Sequence, residues 1–392
     1  MNLVSLRATK SFLRASTISM AVLLLATHAH AQSTPSALSI GASAPAFSLP
    51  GIDGKVHKLA DYNSAKVFAV AFLCNHCTES QLYESRLQKL ADDYRDKGLA
   101  LIAIEADNPV AVPTEDLAYT DAGDSLADMK ERATYQRLTF PYLYDGEAQA
   151  ATKLYGATLA PQIFIFDQSR KLRYQGRIDD NTQQSQAKTY YAKDAIEALL
   201  TGTPIATASV PPTCCALHSN ATAATIKLEK GRQEAEPVII RLAGVEELKK
   251  LRANEAGKML LVNFYATWCG PCVSEFPDIV ATARMYHSRG LQLTTVSSNE
   301  PAEQADVLKF LQKMHASPTT NLLFATTDTY ALQAAFDPNM GAGVPFTVLI
   351  APNGDILYQE VGALDMMKLR RAILANLPED KDHQGSNAYW SQ

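Results

Sequence analysis

At 392 residues the chain is too long for one ordinary domain, so two domains are the starting expectation. A hydrophobic fraction of 47% is ample for real cores, and a formal charge of −5 gives no basic footprint, so nucleic acid is excluded as an expected partner. The six cysteines are too few to staple a chain of this size; they cluster as Cys74/Cys77, Cys214/Cys215 and Cys269/Cys272, which points to chemistry.

Arg7, Lys10 and Arg14 give a basic start, residues 18–26 a short apolar run, and Ala29-His30-Ala31 a small-x-small cleavage site. Residues 1–31 are therefore expected to be a signal peptide whose removal leaves Gln32 first. The apolar run is too short to span a bilayer comfortably. The mature chain is expected to be exported, most simply to a periplasm, with no stable membrane insertion. An uncleaved anchor is the competing reading. Residues 32–39 read as a polar, disordered lead.

From Ile40 the text changes. Asp53-Gly54 is a hairpin turn signal. The run Val67–Leu73 reads as a buried strand that delivers Cys74-Asn75-His76-Cys77. A helix over 79–97 follows, then a strand over 100–105, a helix over 125–138, a short strand at 141–145 and a helix over 148–155. Ala160-Pro161 enters a strand over Gln162–Phe166, a turn spans 167–170, and a strand over 171–175 and a helix over 188–200 close the half. Residues 201–236 are rich in Thr, Ala, Pro and Ser without sustained periodicity, and read as an extended connector.

In the second half the apolar run Leu260-Leu261-Val262-Asn263-Phe264-Tyr265 leads to Ala266-Thr267-Trp268-Cys269-Gly270-Pro271-Cys272. The run reads as a buried parallel strand and residues 271–286 as a helix, with Pro271 allowed in its first turn. Cys269 thus falls at the helix mouth, where unpaired N–H groups and the helix dipole favour negative charge. A thiol there ionises more easily, and the thiolate is the nucleophile. An exposed Cys269 with a buried Cys272 one turn on is the recipe for thiol–disulfide exchange. Half a zinc site is the alternative for this pair, but no second Cys or His pair lies nearby in sequence. A strand over Gln292–Ser297, helices over 303–314 and Thr329–Phe336, Val344-Pro345 entering a strand over Phe346–Ile350, a turn at 352–354, a strand over 355–359 and a helix over 365–377 complete the half. Tyr174-Gln175 and Tyr358-Gln359 fall at matching places, so the chain reads as an imperfect tandem repeat. The expected boundaries are 40–202 and 237–380 for the domains, 203–236 for the linker and 381–392 for a polar tail.

The string Trp268-Cys269-Gly270-Pro271-Cys272 resembles the active site of the thioredoxin superfamily. With Asn263 before it and Glu275-Phe276-Pro277 after it, it is most similar to the TlpA/ResA-like thiol–disulfide oxidoreductases. Asn263 stands where thioredoxin usually has a buried Asp. The resemblance assigns Glu275 the tuning of the thiol protons. Residues 41–50, Gly-Ala-Ser-Ala-Pro-Ala-Phe-Ser-Leu-Pro, resemble the opening of the AhpC/TSA and redoxin families. Cys74-Asn75-His76-Cys77 with Phe140-Pro141-Tyr142-Leu143-Tyr144-Asp145 resembles a peroxiredoxin-like redoxin subgroup, whose terminal Gly-Cys pair falls at Cys214-Cys215. The chain departs from it at Thr78, where that subgroup prefers Pro.

These resemblances imply two thioredoxin-like α/β domains, each a central mixed sheet flanked by helices, with Pro161 and Pro345 in cis beside the cysteines. They imply a thiol–disulfide oxidoreductase acting on protein thiols and disulfides, with a membrane electron donor as its candidate reductant and no cofactor. Cys269, Cys272, Cys74 and Cys77 are the expected reacting residues, with Trp268, Glu275, Pro345, Pro161 and His76 in support. A cationic His76 would favour a thiolate in the first pair. Cys215 or Cys214 is a candidate resolving or shuttle thiol. A peroxidase would carry a Thr three residues before its reacting Cys; Ala71 stands three before Cys74, and a methyl donates no hydrogen bond. Thiol peroxidase activity and copper binding by Cys74, His76, Cys77, Cys214 and Cys215 are the alternatives, the latter because soft thiolates suit Cu(I).

Overall fold

The computed structural model describes residues 38–378 except 318 and 342. The expected signal peptide, most of the polar lead and the tail at 381–392 lie outside the described residues.

The first half opens on a hairpin of β1 (Ser48–Pro50) and β2 (Val56–Lys58), turned at Asp53-Gly54. It continues with β3 (Val67–Leu73), α1 (Thr78–Gln81), α2 (Glu84–Tyr94), β4 (Leu99–Glu105), α3 (Thr114–Leu117), α4 (Leu126–Gln136), β5 (Tyr142–Tyr144) and α5 (Ala150–Tyr155). Then come β6 (Leu159–Ala160), β7 (Gln162–Phe166), β8 (Leu172–Gly176), α6 (Tyr191–Thr201), β9 (Ser209–Val210), β10 (Cys215–Ala216) and α7 (Asn220–Glu234). The second half holds β11 (Ile240–Ala243), α8 (Val245–Ala253), β12 (Leu260–Tyr265), α9 (Gly270–His287), β13 (Gln292–Ser297), α10 (Gln304–Lys313) and β14 (Thr320–Phe324). It ends with α11 (Thr329–Phe336), β15 (Phe346–Ile350), β16 (Ile356–Val361) and α12 (Met366–Asn376).

Two six-stranded mixed sheets result, in the orders β5-β4-β3-β7-β8-β9 and β11-β14-β13-β12-β15-β16. In each, the strand before the cysteines lies between a parallel and an antiparallel neighbour. Both faces of such a strand are covered, which is why β3 reads Val-Phe-Ala-Val-Ala-Phe-Leu with every residue buried. Alternate residues enter opposite cores: Val67, Ala69, Ala71 and Leu73 on one side, Phe68, Val70 and Phe72 on the other. Gly176 is required where β9 joins the sheet, since a Cβ there would lie 1.7 Å from the Val210 carbonyl oxygen.

Two expectations are corrected. The helix read over 79–97 is broken: the Ser80 hydroxyl accepts the Cys74 N–H, α1 ends after one turn, and the helix restarts at Glu84. The connector is not extended throughout, since it contains the 15-residue α7. This helix buries no residue, so it has no apolar stripe for a periodicity search to find. Good helix formers and the Ser219 side chain, which accepts the Ala221 N–H, support it instead.

The halves meet around Asp121. Its buried carboxylate accepts from Arg132 Nη1 at 2.8 Å on the first half and from Arg371 Nε at 2.7 Å on the second. The Tyr286 hydroxyl donates to the Thr120 carbonyl at 2.6 Å, and Arg289 to that of Ala118 at 3.2 Å. Removing one member of a buried charge network leaves the others desolvated and uncompensated. Asp121→Asn is expected to lower stability by about 3–5 kcal/mol, read from urea unfolding; an unchanged midpoint would show that the contact carries no stability.

Candidate functional site

In the second half, β12 ends and Cys269 caps α9, its Sγ accepting the Cys272 N–H at 3.3 Å. Cys269 and Cys272 form a disulfide. The Val344–Pro345 bond is cis, and Cys269 Sγ lies 3.7 Å from the Val344 carbonyl oxygen. The expected exposed Cys269 is corrected: it is 7% exposed, against 1% for Cys272, because it packs with Tyr265, Ala266 and Phe276 in one apolar cluster. The solvent-facing residue is its neighbour Trp268, 67% exposed.

Glu275 stands one helical turn beyond Cys272, on the same buried side of α9. Burial pushes its carboxyl upward, partly offset by the Leu364 N–H that it accepts at 3.1 Å. Asn263 is fully buried, and its amide donates to the Thr347 hydroxyl at 3.0 Å. An amide cannot serve as the proton acceptor that an Asp would be there.

The first half differs in a way the sequence concealed. Ala160–Pro161 is also cis, and the residue after each cis proline gives a common origin. Gln162 faces Phe72 and Phe346 faces Phe264. Five residues on lie Cys77 and Cys269. Cys77 is therefore the counterpart of Cys269, Ser80 of Cys272, His76 of Trp268 and Ala71 of Asn263. The capping bond agrees, since Cys77 Sγ accepts the Ser80 N–H at 3.4 Å. Treating Cys74/Cys77 as the equivalent of Cys269/Cys272 is corrected by three residues, because β3 reaches closer to its cysteines than β12 does.

The expected Cys74/Cys77 pair is corrected as well. Cys77 is joined to Cys215, and Cys74 is free and buried. The pairing follows from β10, which runs antiparallel to β6 with Cys215 opposite Ala160, the residue before the cis proline. Cys214 is a free thiol, pushed up to about 12 by burial and by its bond to Glu79. The position three residues before Cys77, where the peroxidase resemblance would put a hydroxyl, belongs to Cys74.

His76 does not activate Cys74 as expected. Burial and the charges of Asp124, Asp107 and Glu105 hold the Cys74 thiol well above its ordinary range. The His76 ring nitrogen Nδ1 lies 3.2 Å from Cys74 Sγ but only 2.5 Å from Asp124 Oδ2. Burial works against the imidazolium, yet the Asp124 carboxylate leaves the group raised. His218 is raised to about 10 by its bonds to Asp107 and Asp116. Sequence reasoning missed Glu105, Asp107, Asp116, Asp124 and His218. A signal existed for two of them: Glu105 ends β4 and Asp107 follows it, and ligands of open α/β sheets gather beyond the carboxyl ends of strands.

Comparison with known proteins agrees with this geometry. Residues 40–175 match the AhpC/TSA family and residues 235–373 the redoxin family. The chain is a tandem thioredoxin-fold protein. Its first half carries the AhpC/TSA match and its second half the redoxin match. It is 28% identical over 148 residues to the thiol:disulfide interchange protein CycY of Rhizobium leguminosarum bv. viciae, covering 36% of this chain and 69% of that one. It is 35% identical over 84 residues to the chloroplastic thioredoxin-like protein CITRX of Oryza sativa subsp. indica, covering 21% of this chain and 44% of that one; the match thus spans less than half the length of that relative. A solved structure of an uncharacterized conserved protein from Geobacillus kaustophilus is 32% identical, covers 46% of this chain and 92% of that one, and has a TM-score of 0.41. No helix among the described residues is long and apolar enough to cross a membrane.

Two measurements check this site. Peptide mapping without reduction is expected to yield Cys77 linked to Cys215 and Cys269 to Cys272, with Cys74 alkylated only after unfolding; a Cys74–Cys77 peptide would refute the assignment. Because the folded chain holds the Glu275 proton to higher pH than the unfolded chain, its contribution is present at low pH and is lost as pH rises through the carboxylate range. Glu275→Gln should flatten that decline in urea midpoints measured from roughly pH 4 to 7; an unchanged slope would assign it elsewhere.

Proposed function

We propose that the protein is an exported thiol–disulfide oxidoreductase that exchanges disulfides with partner proteins. The observation that carries this reading is the Cys269–Cys272 disulfide at the mouth of α9, with Cys269 facing the residue before cis-Pro345. In the reduced chain, the Cys269 thiolate attacks one sulfur of a partner's disulfide. The other partner sulfur leaves as a thiolate and takes up a proton. A mixed disulfide stands beside Pro345. Cys272 then attacks Cys269 Sγ, regenerating the bond seen here and releasing the partner as a dithiol. The Glu275 carboxylate, made a stronger base by burial, takes up the proton of Cys272 as its sulfur attacks and passes it on to the departing partner thiolate. A thiol reductant, delivered by a membrane electron donor, returns the pair to its dithiol form. Trp268 offers the exposed surface next to the reacting sulfur.

A second reading is favoured by one feature, the pairing of a helix-capping Cys77 with the remote Cys215. A thiol peroxidase would use this pair, Cys77 reacting with peroxide and Cys215 resolving it. The Cys74 thiol in place of a hydroxyl weighs against it.

Insulin reduction tests the first reading. Cys269→Ser is expected to abolish turnover and Cys272→Ser to trap a mixed disulfide with the partner, while Cys77→Ser leaves turnover within about twofold of the parent. Unchanged turnover in Cys269→Ser would remove the assignment. Peroxide consumption that disappears in Cys77→Ser would establish the second.

A further inference from the structure

In the first half, one pocket gathers a thiol, two imidazoles and three carboxylates that the exchange reaction does not use. Cys74 and His76 come from the loop after β3, Asp107 from the end of β4, Asp116 from α3, Asp124 from the loop before α4, and His218 from the segment after β10. Cys74, His76, Asp107 and Asp124 are buried, and His218 is partly so. We propose that this pocket binds one divalent metal ion of zinc type through Cys74 Sγ, His76 Nδ1, Asp107 Oδ2 and Asp124 Oδ2.

The donor spacing carries the proposal. Cys74 Sγ lies 3.2 Å from His76 Nδ1 and 3.4 Å from Asp107 Oδ2. His76 Nδ1 lies 2.5 Å from Asp124 Oδ2 and 3.9 Å from Asp107 Oδ2. Tetrahedral ligands at about 2.0–2.3 Å from zinc stand roughly 3.3–3.8 Å apart. Of the six pairs that four donors make, these four are fixed: three lie at or near that range, the Asp124–His76 contact needs to open by less than 1 Å, and Asp107 joins the group through Cys74 and His76. Cys74, His76 and Asp124 each present a ligand atom within 4.8 Å of the others, and so do His76, Asp116 and His218.

The alternative for Cys, His and Asp is a proton relay. A relay needs the base to face the thiol with one ring nitrogen and the carboxylate with the other. Here Cys74 Sγ lies 3.2 Å from Nδ1 and 3.7 Å from Nε2, and Asp124 Oδ2 meets Nδ1, so thiol and carboxylate make their closest approaches to the same nitrogen, as donors around a common centre do.

The surroundings fit as well. Asp124 Oδ1 accepts the His76 N–H and Asp107 Oδ1 the His218 N–H, so the Oδ2 atom of each carboxylate is the one turned toward the thiol and the imidazoles. His218 Nδ1 holds Asp107 Oδ2 at 3.1 Å, and its Nε2 is held by Asp116 at 3.1 Å. Such outer groups orient ligands. Glu105 accepts the N–H groups of Asn75 and Asp107 and so fixes both ligand-bearing loops. Among the described residues, the ion pairs of Asp107 and Asp124 are with histidines, not with Lys or Arg.

The donor set selects the ion. A thiolate and an imidazole are too soft for magnesium or calcium, while two carboxylates are too hard for Cu(I), which leaves zinc and its neighbours. The copper site drawn from Cys74, His76, Cys77 and the Cys214/Cys215 pair is not formed, since Cys77 and Cys215 are bonded to each other. Asp116 and His218, both partly exposed, mark the way in. On binding, the Cys74 thiol releases its proton to water and its sulfur takes the metal; no electron moves. The proposal does not rest on the exchange reading.

The test uses the full chain with both disulfides intact. Equilibrium dialysis against zinc followed by metal analysis is expected to give one ion per chain, protecting Cys74 from alkylation during unfolding. Cobalt loading should give a thiolate-to-metal absorption band that is absent in Cys74→Ala. Asp124→Asn should lose the ion, and His218→Ala should weaken binding by about 10–100-fold, whereas Cys269→Ser/Cys272→Ser should retain it. Sub-stoichiometric metal on the parent chain, a cobalt band that survives Cys74→Ala, or loss of the ion in Cys269→Ser/Cys272→Ser would overturn the proposal. The protection measurement needs no variant, so it decides even if a substitution prevents folding.

Discussion

The antiparallel pairing of each central strand with the strand entered through a cis proline is the constraint on which both sites depend. In the second half it seats β15 against β12 and brings the Val344 carbonyl to Cys269. In the first it seats β7 against β3 and places Ala160 beside the loop that follows. A slip of one residue would send every apolar side chain of a central strand to the wrong face. The register is therefore held by two cores at once, and the Cys269 sulfur inherits its position from them.

Within this shared frame the halves have diverged in where the capping cysteine finds its partner. Cys269 bonds to a residue of its own helix. Cys77 has Ser80 at that place and bonds to Cys215, on a short strand from the connector. Electrostatics separate the halves too. Around Cys74 three buried carboxylates oppose ionisation of the thiol, whereas Cys272 has the buried Glu275 one turn along. The same helix mouth thus carries two chemical environments.

Much of the fold was legible because its strands are continuous apolar runs. Val67–Leu73, Gln162–Phe166, Gln292–Ser297, Phe346–Ile350 and the helix Thr329–Phe336 lie where the pattern put them. The repeat hint holds in detail, since Gln175 faces Phe164 as Gln359 faces Val348, at matching distances from the two cis prolines. Helix α7 escaped because nothing about it is amphipathic. The frame of the first site escaped for a different reason. Two Cys-x-x-Cys strings invite alignment on each other, but the helix cap, which follows the strand end by the same four residues in both halves, falls on the second cysteine of one string and the first of the other, and which cysteine caps is a tertiary property. Cys74, the carboxylates and His218 gather from segments up to 144 residues apart, a convergence that spacing along the chain cannot express.

The Cys77–Cys215 bond links residues 138 apart and so closes nearly the whole first half into a covalent ring. Pulled from its ends, the oxidised chain would hide roughly 470 Å of contour length, at about 3.4 Å per extended residue. Cutting this one bond would release that hidden length. The mechanical extensibility of the protein is thus set by its sulfur chemistry, on a scale far larger than either sheet.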